Sequence, residues 1–204
     1  MCGLFGFVGT KPNPATIVEL MGLAARRGPD SYGFAWNYGN GTLLDCMHQA
    51  SPFNGMYPAN LGVAKGIIGH CRLATSGGVG TVQPLACGAG FVAHNGNIYN
   101  AEELADKIQV KPKTPCDSEI LGLLVNEGKG PLGKRLERAA GKRVPKSPLA
   151  ALALWPSGLA AIADGLPIEM AERPEGVYLC SQPFAGSVPI KNVVSWPIVR
   201  STHA

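Results

Sequence analysis

Apolar residues fall along this chain in short runs of two kinds, near-continuous blocks and helically spaced stretches. The run GLFGFVG at 3–9 is apolar or glycine throughout, which predicts a short buried strand that other backbone approaches closely. In PATIVELMGLAARR at 14–27 the apolar positions recur at helical spacing, with Asn13 placed to cap the helix and Gly28-Pro29 to end it. YGFAWN and GTLLDCM flank a Tyr-Gly-Asn-Gly turn and predict a hairpin. KGIIGHCRLA and AGFVAHNG are further strands, each leading into a glycine-bearing turn. AEELADKI, SEILGLLVNEG and GPLGKRLERAAG carry helical patterns, Asp117 standing where it would cap the second. From 148 onward PLAALALW, GLAAIAD, LPIEMAE, GVYLCS and VVSWPIV read as strands again. Strands, then helices, then strands predict an α+β layered domain.

Length and composition narrow this picture. A chain of 204 residues can bury one good core but hardly two, so a single domain over 1–204 is expected. The content of 46% hydrophobic and 16% charged residues fits a soluble globular protein. No apolar run reaches the ~18 residues of a membrane span, and no basic leader precedes an apolar block, so a cytoplasmic protein is expected. The six cysteines (2, 46, 71, 87, 116 and 180) form no CxxC pair and are expected to be reduced thiols. The histidines at 48, 70, 94 and 203 lack zinc-ligand spacing, so neither a metal nor another cofactor is expected. Of the net charge of +4, much is concentrated in seven basic residues from Lys129 to Lys146, set against Glu137 alone. That stretch reads as a solvated helix face rather than a dock for an acidic partner, and without interleaved aromatics a nucleic-acid platform is not expected.

The chemistry begins at Cys2. Removal of Met1 would leave a thiol and a free α-amine on one residue, with Gly3 adding no bulk beside them. An α-amine titrates near ~7.7–8.0, so at cellular pH it can accept the thiol proton and activate the sulfur. Four later segments supply partners. GHCRLATSGG puts Arg72 at a strand end before the hydroxyls of Thr75 and Ser76, a set suited to a carboxylate; a plain salt bridge is the alternative. AHNGNIYN places Asn95 and Gly96 so that a side-chain N–H and a backbone N–H can converge on an oxyanion, although Asn-Gly is also a common turn. TPCDSE offers Asp117 to an ammonium group or to its own helix, and RRGPDSYG sets Arg27 behind a turn. Together these make a recognition kit for an amino acid with a carboxylate, an ammonium and a reactive carbonyl.

With Cys2-Gly3, RGPDS, GHCRLAT, HNGNIYN and CDSE in this order, the sequence resembles the class II glutamine amidotransferases, the N-terminal cysteine branch of the Ntn hydrolases. The resemblance includes the glutaminase domain of glucosamine-6-phosphate synthase. The resemblance implies a four-layer αββα sandwich and hydrolysis of the glutamine amide through a γ-glutamyl thioester. It implies Cys2 as nucleophile with its α-amine as base, and Asn95 and Gly96 as the oxyanion hole. Arg72, with Thr75 and Ser76 nearby, would hold the α-carboxylate and Asp117 the α-ammonium, while Arg27 supports the N-terminal region. Leu73 replaces an aromatic residue of the family pattern, implying a looser cover over bound glutamine, and Ser76 replaces a histidine, implying a changed glutamine affinity with the same reaction type. The expected protein is a stand-alone glutaminase subunit passing ammonia to a separate acceptor enzyme. An amidase for γ-glutamyl peptides and a non-catalytic scaffold subunit are the alternatives.

Overall fold

The computed structural model describes residues 2–40, 44–73 and 81–198. Among them the strands form two sheets, each antiparallel between neighbours. The first has the spatial order Val188–Pro189 (β11), Glu169–Arg173 (β9), Gly176–Cys180 (β10), Gly3–Gly9 (β1), Gly66–Arg72 (β4), Ser31–Asn37 (β2) and Leu44–Gln49 (β3). The second runs Asn192–Pro197 (β12), Gly158–Asp164 (β8), Leu149–Trp155 (β7), Gly90–Gly96 (β6) and Leu85–Cys87 (β5). Pro14–Ala25 (α1) covers the outer face of the first sheet, while Ala101–Ile108 (α2), Asp117–Glu127 (α3) and Leu132–Ala140 (α4) cover that of the second. The result is the expected αββα sandwich.

Strand periodicity decides which residues face which layer. Leu4 and Val8 of β1, Ile68 of β4 and Phe91 and Ala93 of β6 all enter the cluster between the two sheets. Phe5, Phe7, Ile67 and Cys71 have the opposite parity and pack under α1, as Val92 packs under the helices on the other side. Strands buried on both faces have no polar side to alternate with, which is why LAALALW of β7 reads as a continuous apolar run. Small residues such as Ala35, Ala93, Ala150 and Ala161 line the inter-sheet layer and let the sheets approach closely.

Local signals mostly act as anticipated. Asn13 Oδ1 accepts hydrogen bonds from Ala15 N and Thr16 N at 3.0 and 3.4 Å, capping α1. That helix stops at Ala25, with Arg26 as its C-cap, slightly before Gly28-Pro29. The YGFAWN hairpin forms, pairing Tyr32 with Gln49. Three short elements were not foreseen: β5, β11 and a 3-10 turn at Ala59–Val63, all too brief for a pattern to emerge. No helix among the described residues is long and apolar enough to cross a membrane.

The basic stretch departs from a fully solvated face. Arg135 turns inward, its Nε donating to Val125 O at 2.7 Å and its guanidinium lying 5.3 Å from the Trp155 ring centre. It adds a donor to carbonyls in the last turn of α3. Arg143 is buried and its Nη2 donates to Asp164 Oδ2 at 2.6 Å. The remaining charges are ordinary surface groups, as in the exposed Lys134–Glu137 pair.

Candidate active site

Cys2 precedes β1, and its parity with Leu4 turns it toward the gap between the sheets. Arg72 ends β4 with the parity of Ile68, and Asn95 nears the end of β6 with that of Ala93. Three residues far apart in sequence thus arrive at one open end of the inter-sheet layer. A cleft of about 360 Å³ opens there, and its walls include Cys2, Arg72, Leu73, Asn95, Gly96 and Asp117. Its size suits a small amino acid.

Half-buried Cys2 is held by its neighbours' backbone. Leu73 N donates to Cys2 Sγ at 3.4 Å, and the thiol lies 3.7 Å from Leu73 O. Asn95 Nδ2 donates to Cys2 O at 2.9 Å, tying β6 of one sheet to the start of β1 in the other. The other buried thiols are chemically quiet: burial raises Cys71 and Cys87 to about 12 and Cys180 to about 11.

Gly96 is where glycine is required. Its φ of +124° is a backbone conformation that side chains disfavour, and a Cβ there would lie 2.5 Å from Pro148 O. Arg72 is buried and donates from Nη1 to the Thr81 carbonyl, which fixes the guanidinium at the cleft wall. Thr75 and Ser76 lie outside the described residues. Arg27 does not line the cleft. Its Nη1 donates to Ser181 O at 2.7 Å, and Ser181 bonds to Leu4 through both N and Oγ at 2.9 Å, so Arg27 braces β1 just behind Cys2.

The Asp-Ser-Glu segment at 117–119 is a staple rather than a cap. Cys116, not Asp117, occupies the N-cap position of α3. Asp117 Oδ2 instead accepts from Ile98 N at 2.6 Å, because the chain leaving β6 needs an acceptor for a buried turn N–H. Ser118 Oγ lies 2.9 Å from His94 Nδ1 and accepts from Gln83 Nε2 at 3.1 Å. Glu119 binds Lys113 N at 2.8 Å and Thr114 N at 2.7 Å. Gln83 completes the clamp, accepting from His94 N at 2.7 Å and donating to His94 O at 3.2 Å. Pattern reading overlooked Gln83 and Ser118, since a lone amide or hydroxyl carries no periodic signal.

Two histidines sit behind these groups. Burial lowers His70 to about 3, with His94 and Arg72 adding to the effect and Asn95 opposing it. Burial lowers His94 to about 4, where Asp117 opposes the shift and Arg143 supports it. Both rings are neutral at physiological pH. Below the ordinary value of about 6.5 the unfolded chain takes up protons that the folded one refuses. Stability should therefore be constant above about pH 6.5 and fall as pH drops toward 4. The slope reaches at most about 1.4 kcal/mol per pH unit for each histidine. Urea unfolding across pH 8 to 4 checks this; a slope reduced by roughly half after His94→Gln substitution, with the remainder due to His70, identifies one of the two sources.

No protein-family model matches the chain. Individual relatives do. An amidophosphoribosyltransferase of Pasteurella multocida is 30% identical over 139 aligned positions, covering 59% of this chain and 26% of the relative. A glutamine–fructose-6-phosphate aminotransferase of Rhizobium leguminosarum is 26% identical over 231 aligned positions, covering 99% and 36%. Among solved structures, a glutamine phosphoribosylpyrophosphate amidotransferase from B. subtilis superimposes with a TM-score of 0.75 at 22% identity, over 99% of this chain and 50% of that one. The chain is thus similar to the class II glutamine amidotransferase domains of these enzymes. It spans about a quarter of the length of the first curated relatives it matches. A class-II glutamine aminotransferase domain protein from Silicibacter pomeroyi is matched over its whole length, with a TM-score of 0.59 at 17% identity.

Proposed function

We propose that the protein hydrolyses the side-chain amide of glutamine through a thioester on Cys2 and releases ammonia for a separate acceptor enzyme. The observation that supports this most is the meeting of Cys2, Asn95, Gly96, Arg72 and Asp117 on one amino-acid-sized cleft. In this reading Met1 is removed. The α-amine of Cys2 takes the thiol proton, and the sulfur attacks the amide carbon. The electron pair displaced onto oxygen is stabilised by the second N–H of Asn95 Nδ2 and by Gly96 N. Collapse of the tetrahedral adduct returns the pair, breaks the C–N bond and passes the stored proton to the departing nitrogen as ammonia. Water, losing a proton to the same amine, then attacks the thioester; glutamate leaves and the thiol is restored. The fixed Arg72 guanidinium holds the α-carboxylate and Asp117 the α-ammonium.

Incubation with a diazo-ketone analogue of glutamine, followed by peptide mapping, tests the reading. The expected result is a single adduct on Cys2 in a protein whose intact mass lacks Met1, with glutamate and ammonia formed in equal amounts from glutamine. A retained Met1 in protein from its natural host, or label on another cysteine, would overturn it. Faster turnover of γ-glutamyl dipeptides than of glutamine would move the assignment to the peptide amidase.

A further inference from the structure

His70 lies on β4 between Leu4 and Gly33, wholly buried. Its parity is that of Ile68, so its ring projects toward the second sheet. Asn95 on β6 has the parity of Ala93 and projects toward the first sheet, and β4 and β6 face one another across the gap. The imidazole therefore meets the Asn95 amide from behind, on the side away from the cleft, and the two interact directly. In the structure three atoms at this contact lack a hydrogen bond among the described residues: both His70 ring nitrogens and Asn95 Oδ1.

A neutral imidazole always carries one N–H, and Asn95 Oδ1 is an acceptor with nothing else to accept from. Buried groups of this kind find each other, because leaving either one unpaired is unfavourable. Asn95 Nδ2 is already committed to Cys2 O at 2.9 Å through one hydrogen, leaving the other for the reaction. An amide held at only one end can still tilt about its side-chain bonds; holding its oxygen as well removes that freedom.

We infer that His70 is a positioning residue: its ring N–H holds Asn95 Oδ1 and so aims the free Nδ2–H at the oxygen of the tetrahedral adduct. The inference rests on the proposed glutaminase reading for its catalytic consequence, but the His70–Asn95 contact is independent of it. His70 touches no substrate atom. Its effect passes through Asn95 to the developing charge.

Variants His70→Leu and His70→Gln separate this role from simple packing. With glutamine, His70→Leu is expected to lower kcat by about ten- to a hundred-fold with KM within about twofold, since a misaimed donor is felt in the transition state. His70→Gln, which keeps a side-chain N–H, recovers most of the loss. Alkylation of Cys2 by iodoacetamide builds no oxyanion, so its rate should be unchanged in both. The Asn95 side-chain amide should give two sharp, slowly exchanging proton resonances in the parent and averaged ones in His70→Leu. Should His70→Leu not fold, His70→Met, closer in length to the ring, takes its place. Unchanged kcat in the apolar variant, or a parallel fall in hydrolysis and alkylation, would overturn the inference. So would Asn95 resonances that are the same in parent and variant. A parent protein inert toward glutamine sinks the functional reading alone, since the amide resonances decide the contact by themselves.

Discussion

Cys2→Ala is expected to abolish amide hydrolysis, lowering kcat by on the order of 10⁴-fold or more, because the proposed reaction runs through an acyl intermediate on its sulfur. The fold should hardly notice. The sulfur contacts the Leu73 backbone, and the residue is half-buried, so truncation removes little packing. A melting temperature within about 3 °C of the parent accompanies the loss. Steady-state ammonia release beside a thermal melt checks both halves. Residual hydrolysis at even a tenth of the parent rate would assign the nucleophile elsewhere. Cys116, which also lines the cleft, would then be the next thiol to examine, although burial raises its pKa.

The second large effect is on stability. Gly3 has no space for a side chain: a Cβ would lie 2.1 Å from Ala24 O and 2.5 Å from Ala24 C, both backbone atoms of α1. A rotamer change cannot relieve that contact, so Gly3→Ala must push the helix off β1 or shift the strand. The expected cost is about 3–5 kcal/mol, seen as a large drop in the denaturant midpoint or as insoluble protein. Because Cys2 adjoins Gly3, any fraction that folds should also be alkylated at Cys2 at an altered rate. A variant as stable as the parent would mean that α1 can move without cost, contrary to its packing of Leu20, Met21 and Ala24 against the sheet.

The glycine beside Cys2 was readable in the chain as a sign of close backbone approach, and so was most of the architecture. Strands buried on both faces appear as apolar runs, and Asn13 announces α1 by a cap that depends on adjacent residues only. Cys2, Arg72 and Asn95, singled out for their chemical type, do come together on one cleft. The site was less legible where a residue serves another residue. Asp117 looks like a cap because aspartate before a helix usually is one, yet a turn N–H from a distant loop claims its carboxylate. Gln83 and Ser118 act only because the fold brings β6 and α3 together, a fact absent from either local sequence. His70 was visible as a histidine without zinc spacing; that it faces Asn95 follows from strand parity only once β4 and β6 are known to lie opposite. Arg135 and Arg143 were hidden among neighbouring charges, and nothing but the three-dimensional arrangement separates them from solvated lysines.

The proposed nucleophile and the amide proposed to stabilise the anion stand on different sheets, which turns the sandwich into a caliper. One jaw carries the sulfur and the other carries Asn95 and Gly96, and the alanines clamped between them set the opening. A slip of one jaw along the other by a fraction of a bond length would spoil the aim of the amide without exposing any core. The small residues of that middle layer thus act as a gauge of alignment, and a bulkier side chain there would register in turnover before it registered in melting.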